Sequence, residues 1–213
     1  MGRRKKEPAE THRRQIGEAA GNLFAVKGIE GTSMDEIAKE AGYSKATLYV
    51  YFENKEAIVA MLVHESMRKL YGYIDAGLQS GRNTRERYDR ICRGLLQYQQ
   101  EFPFYFSAVL DRINIEFDKG SALAEERDAF QVGEEINRKM SSFLESGIRA
   151  GELRQDMDVT AVIFTFWGML SGLIQIAVKK ETYIRRRLGF SRDEFLDYGF
   201  DTLYRSIEKE GGR

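Results

Sequence analysis

The sequence predicts an all-α fold, and three observations carry that prediction. Apolar residues recur at three- and four-residue spacings along most of the chain. No stretch of useful length alternates apolar and polar residues as a strand would, and no internal repeat is present. Three helical patterns crowd into about the first 50 residues, the last two joined by a glycine-containing turn, which is the helix-turn-helix pattern. The chain has 213 residues, 42% hydrophobic and 31% charged, with two prolines and no long linker. That is material for a small domain, expected at residues 1–54, and a larger helical one at 55–213.

The elements follow in order. Residues 9–27 place Ile16, Ala19, Ala20, Leu23 and Phe24 on one face, and Gly28 suits the C′ position. Residues 33–41 open on Ser33 and Glu36 at capping-box spacing, with Met34, Ile37, Ala38 and Ala41 as the apolar stripe. Ala41-Gly42-Tyr43 makes a tight turn, and Ser44 can cap the next helix. That helix, Lys45 to Phe52, has barely two turns and is marginal alone. Leu48 and Phe52 anchor it; Lys45, Ala46, Thr47, Tyr49 and Tyr51 are read as facing outward. Asn54 caps a long helix over 55–79. Further helices are expected over 84–100, from Phe104 to Phe117 after an interruption at Pro103, over 121–150, from Asp158 to about Val178, and from Ser191 through Leu196, Phe200, Leu203 and Ile207.

Charge gives a mixed signal. The 33 basic and 33 acidic residues cancel, so no global field points to nucleic acid. Residues 3–14, however, carry six cations (Arg3, Arg4, Lys5, Lys6, Arg13 and Arg14) against Glu7 and Glu10. Residues 15–60 carry four cations against seven carboxylates. A single cysteine, Cys92, excludes an internal disulfide framework, and the basic start has no apolar run behind it, so a cytoplasmic protein is expected. Two histidines, no paired catalytic carboxylates and no phosphate loop after a strand leave little for enzyme chemistry; no enzyme, no metal and no cofactor are expected. Val159–Val178 is uncharged for 20 residues, long enough to span a bilayer, and contains Gly168-x-x-x-Gly172. A helix buried on all sides of a helical domain reads the same way.

The run Gly31–Ala57, GTSMDEIAKEAGYSKATLYVYFENKEA, resembles the DNA-binding signature of the TetR family of bacterial transcriptional regulators. The resemblance covers roughly residues 10–58, and one departure is Ala46, where glycine is frequent in the family. It implies a homodimer that places each short helix in a major groove of a palindromic operator, and a C-terminal domain that binds a small-molecule effector and dimerises. It thereby implies double-stranded DNA as a partner and no membrane. The expected DNA contacts are Lys45, Ala46 and Thr47 at base edges, Tyr49, Tyr51 and Lys55 at phosphates, the helix N-termini at Thr32, Ser33 and Ser44, and Arg3 and Arg4 along the backbone or in a minor groove. Phe102, Phe104, Tyr105, Phe106, Phe164 and Trp167 are the aromatics expected around a largely apolar effector, with Asp111, Asn114 and Gln175 as polar contacts. Gly168, Gly172, Leu196, Phe200 and Leu203 are expected at the dimer interface. The expected mechanism is repression relieved by effector. The alternatives are a membrane-associated or structural helical protein, or an activator of the same family.

Overall fold

The computed structural model describes residues 8–112 and 123–209, and the side chains of 108–112 fall outside the description. Arg3, Arg4, Asp111 and Asn114 therefore lie outside the described side chains, as does the end of the helix expected to reach Phe117. Among the described residues there are ten helices: α1 (Ala9–Lys27), α2 (Met34–Glu40), α3 (Lys45–Tyr51), α4 (Lys55–Ser80), α5 (Thr84–Glu101), α6 (Pro103–Arg112), α7 (Ala124–Arg149), α8 (Val159–Lys179), α9 (Glu181–Leu188) and α10 (Arg192–Arg205). The chain breaks at Phe102 as expected, and Pro103 is the first residue of α6, where its missing N–H costs nothing because first-turn donors have no intrahelical partner. Helix α9 has no counterpart in the sequence reading. Only Ile184 of its eight residues is buried, so it carries no apolar stripe to read.

By packing, the chain forms two compact units rather than two consecutive blocks. One takes the residues up to Arg68 together with Phe102–Val132; the other takes Lys69–Glu101 and Gly133 onward. The reason for the first grouping is visible in α6. Phe104 and Tyr105 pack against the apolar core of the first three helices, Phe104 lies 5.9 Å from Phe24 between ring centres, and buried Ser66 donates to the Tyr105 carbonyl at 3.3 Å.

The core of this first unit is Ile16, Ala20, Phe24, Ile37, Ala38, Leu48, Phe52, Ile58 and Leu62. Gly28, at φ 74, ends α1, and Gly42, at φ 75, makes the corner between α2 and α3; both occupy the left-handed region that glycine enters without a Cβ clash. The capping box at α2 is complete. Ser33 accepts from the Glu36 N–H at 3.3 Å, and the Glu36 carboxylate accepts from the Ser33 N–H at 2.9 Å. A hydrogen bond from Lys27 Nζ at 2.6 Å, followed by the two from Ser33, holds the Glu36 carboxyl down at about 2 against its ordinary 4.5.

In the second unit α5 lies antiparallel to α10, with the buried rings of Tyr88 and Tyr204 in contact 5.1 Å apart. Tyr88 donates to the Phe200 carbonyl at 3.0 Å, and Arg85 reaches Asp201 at 2.9 Å with its guanidinium 4.7 Å above the Tyr204 ring. Cys92 is fully buried here, and burial pushes its thiol up to about 12, so it is a small core residue rather than a reactive one. Helix α8 turns Ile163, Leu170, Ile174 and Ala177 into the core against α10 and α5. It is long and apolar enough to cross a membrane by length and composition. It is not buried on all sides: Phe164, Met169 and Ile176 stand on its open face. Leu153 and Glu208 form an isolated antiparallel bridge that clips the α7–α8 loop to the segment after α10.

The capping box yields a test. Glu36 is depressed on folding, so its stabilisation is present above about pH 4.5 and is lost as pH falls toward about 2. Glu36→Gln is expected to lower the melting temperature at pH 7 and to flatten its decline between pH 5 and pH 2. Ser33→Ala should cost ~1 kcal/mol at pH 7. Thermal melts from pH 2 to pH 7 check the first, and urea melts at pH 7 check the second.

Candidate nucleic-acid interface

Helix α3 is seven residues long, and its neighbours give it its shape. Ser44 caps it, accepting from the Thr47 N–H at 3.1 Å and sharing a hydrogen bond with the Thr47 hydroxyl at 2.8 Å. Leu48 and Phe52 are buried in the core below. At about 100° per residue, Ala46 and Val50 fall almost opposite Leu48, with Tyr49 and Thr47 on the flanks. Exposure agrees: Val50 is 77% exposed and Tyr49 45%, Ala46 is exposed and Thr47 half-buried. Val50 is thus an outward residue that the sequence reading passed over, although its phase against Leu48 would have found it.

Tyr51, expected among the outward residues, is half-buried instead. It falls about 60° from Leu48, and its ring lies 5.1 Å from that of His12. His12 Nδ1 and the Tyr43 hydroxyl are 2.7 Å apart, and Tyr43 in turn donates to the Gln15 side-chain carbonyl. These contacts tie α1 to both ends of α3.

Arg13, which the sequence groups with the basic arm, adds a further tie. Its guanidinium donates to the Tyr51 carbonyl at 2.8 Å and to Glu125 of α7 at 2.7 Å, and sits 4.3 Å over the Phe52 ring. A cation at an open helix C-terminus is favourable for the partial negative charge there. Only the distance in space, not the separation of 38 residues, could reveal it.

The expected phosphate and base contacts fall into three states. Ser33, Ser44, Lys45, Ala46 and Tyr49 are exposed. Lys45 is paired with Asp35 at 2.7 Å, and that hydrogen bond holds its ammonium above the usual lysine range. An exposed pair of this kind is worth little, so a competing anion can take the lysine. Thr32 is buried and donates to the Gly28 carbonyl at 2.8 Å, so its hydroxyl points into the protein. Lys55 is half-buried and spends two of its three N–H donors on the carbonyls of Ile29 and Thr32, at 2.7 and 3.0 Å. It pins the α1–α2 loop under the start of α4.

The aromatics expected around an effector separate by unit. Phe102, Phe104, Tyr105 and Phe106 belong to the first, Phe164 and Trp167 to the second. Phe106 is buried, Phe104 and Tyr105 are partly spent on the core of the first unit, and Phe102 stacks on Tyr105 at 5.9 Å. Phe164 is 62% exposed, because it lies four residues from Gly168 on the open face of α8 rather than on the packed one. Leu196 and Phe200 are likewise displaced from their expected place. Both are buried within the chain's own core, since they sit on the face of α10 that meets α5 and α8. A Cβ added at Gly168 or Gly172 would meet nothing within 4 Å, so both glycines face open space. Among the described residues no group of three or more His, Cys, Asp and Glu side chains is placed to hold a metal.

Comparison with known proteins agrees with this geometry. Residues 16–62 match the family of bacterial regulatory proteins, tetR family. The HTH-type transcriptional regulator YdgC of Bacillus subtilis is 30% identical over 166 residues, spanning 76% of this chain and 79% of that one. Among solved structures, the regulator PfmR of Thermus thermophilus superposes with a TM-score of 0.68 at 23% identity, covering 89% of this chain and 97% of the other. FadR of Bacillus subtilis, in complex with stearoyl-CoA, does so at 0.67 and 18%, covering 90% and 97%. These two are likenesses of fold. The matching family model and the relative that spans most of both chains place the protein in the TetR family of helix-turn-helix, DNA-binding transcriptional regulators.

Proposed function

We propose that this regulator binds a palindromic operator as a homodimer and represses transcription until a small-molecule effector releases it. The observation that carries the reading is the outward face of α3. Ala46, Tyr49 and Val50 stand free on a helix whose opposite face is locked into the core. In a major groove Ala46 and Val50 meet thymine methyls, Thr47 and Lys45 reach base edges, and Tyr49 donates to a phosphate oxygen. The N-termini at Ser33 and Ser44 and the remaining N–H of Lys55 add phosphate contacts, and Arg3 and Arg4 follow the backbone or enter a minor groove.

The open face of α8 is the proposed dimer surface. Phe164, Gly168, Gly172 and Ile176 recur at four-residue spacing along it, and the two glycines let a second helix approach closely. Leu203 of α10, half-buried, flanks it, while Leu196 and Phe200 support it from beneath. A partnered α8 needs no membrane, and the protein works in the cytoplasm. Residues 1–54 act as the reading domain and 55–213, opening on α4, as the effector-binding and dimerisation domain. The half-buried rings of Phe102 and Tyr105 favour a largely apolar effector, in line with the stearoyl-CoA bound by FadR of Bacillus subtilis. A coupling of ~1–3 kcal/mol between the two sites would change operator affinity ~5–150-fold.

The test is fluorescence anisotropy on the intergenic DNA beside the protein's own gene, searched first for a palindrome. Tyr49→Ala is expected to abolish specific binding while the dimer persists; retained affinity removes Tyr49 from the interface. Asp35→Asn is expected to tighten binding, because it frees Lys45 and removes a carboxylate from beside the groove. An unchanged or weaker affinity counts against the role of Lys45. Gly172→Arg is expected to leave helical content intact and convert dimer to monomer in light scattering, since within one chain a Cβ at this position meets nothing within 4 Å. A variant that stays dimeric moves the interface elsewhere.

A further inference from the structure

The α8–α9 elbow carries a charge that nothing in the second unit requires. Residues 179–187 hold five cations, Lys179, Lys180, Arg185, Arg186 and Arg187, against the single carboxylate of Glu181. Glu181 is taken by Arg185 at 3.0 Å, and Lys179 donates to Gln175 at 3.0 Å. Lys180, Arg186 and Arg187 are exposed and make no ion pair among the described residues. With Tyr183, 62% exposed, they line an open concavity of about 670 Å³. Cations near a helix C-terminus suit the macrodipole, but that does not require them to gather with an aromatic ring around one hollow.

The reading head has the opposite problem. Residues 8–60 carry six cations against eight carboxylates. Lys27 is paired with Glu36, Lys45 with Asp35, and Arg13 with Glu125, while Lys55 is held by two carbonyls. A DNA duplex presents a charge about every 1.7 Å, and neutralising phosphates supplies much of the affinity. The described helix-turn-helix is therefore short of free cations for a partner that demands them.

We infer that the elbow, through Lys180, Arg186 and Arg187 with the Tyr183 hydroxyl, is a second phosphate-contacting surface that binds the DNA backbone without reading sequence. The inference rests on the proposal that this protein binds duplex DNA. The lysine and the guanidinium groups of the elbow meet phosphate oxygens directly, and the arginines can do so in bidentate fashion. Such contacts add affinity and salt dependence and leave base preference to α3.

The experiment uses full-length protein and the variant Lys180→Ala/Arg186→Ala/Arg187→Ala, all at exposed positions. Anisotropy is measured on the operator and on a scrambled duplex from 50 to 200 mM salt. At a slope of ~0.9 per phosphate contact, the variant is expected to lose about two to three units of the log K against log salt slope. Affinity for both duplexes should fall about ten- to hundredfold together, with their ratio unchanged. Arg186→Lys/Arg187→Lys should restore most of the slope. A variant with wild-type slope and affinity overturns the inference, as does a loss confined to the operator. If wild type itself binds neither duplex, the DNA-binding proposal fails and not only this one. Vesicles of phosphatidylglycerol and phosphatidylcholine separate the other polyanion: binding by wild type that the variant loses, with DNA binding intact in both, assigns the elbow to lipid and overturns it for DNA.

Discussion

Helix α3 has seven residues, and a helix of that length does not persist in water unless something outside it holds it. Everything the reading head can do depends on that holding. Leu48 and Phe52 bury one face, Ser44 caps the start, and Arg13 closes the end by donating to the Tyr51 carbonyl. Truncating Leu48 would remove a fully buried side chain at ~2–5 kcal/mol, a large share of the stability of a small domain. The outward residues owe their fixed presentation to these inward ones. Rigid mounting is also what makes base contacts selective, because a side chain free to wander pays its ordering entropy on binding.

The same economy explains where the charges go. In the reading head cations act first as internal ties: Lys55 across the α1–α2 loop, Lys27 on the capping box, Arg13 between α1, α3 and α7. Arg13 is notable because its second partner, Glu125, lies in the first turn of α7. One guanidinium therefore touches the reading helix and a helix that continues far beyond the first unit.

Helix α8 shows how composition can hide an asymmetry. Both its faces are apolar, so periodicity does not separate them; the structure does, by packing Ile163, Leu170, Ile174 and Ala177 inward and leaving Phe164, Gly168, Gly172 and Ile176 outside. An open apolar stripe with a glycine pair is an unsatisfied surface, and it lies beside the strongly basic elbow at Lys179–Arg187. Short helix α9 makes that elbow. Its charge was plain in the sequence, but with Ile184 as its only buried residue its helical form was not.

The sequence alone determined the helical class, the three-helix head, the caps at Ser33, Ser44, Asp158 and Ser191, and the corner at Gly42. Each of these is local: a hydroxyl at the right place before a helix, a stripe at 3.6-residue spacing, or a backbone angle only glycine takes cheaply. It also named the face of α3, save that Val50 and Tyr51 exchange places once their angles from Leu48 are counted. What only the tertiary structure decided is long-range. Whether Lys55 is free or bound to carbonyls 23 and 26 residues away depends on chain segments that sequence spacing does not bring together. The same holds for the pairing of Arg13 with Glu125, the use of the α6 aromatics as core under the reading head, and the burial of Leu196 and Phe200 within one chain. Side chains compete for partners in space, and a residue type states only what it can bind, not which partner reaches it first.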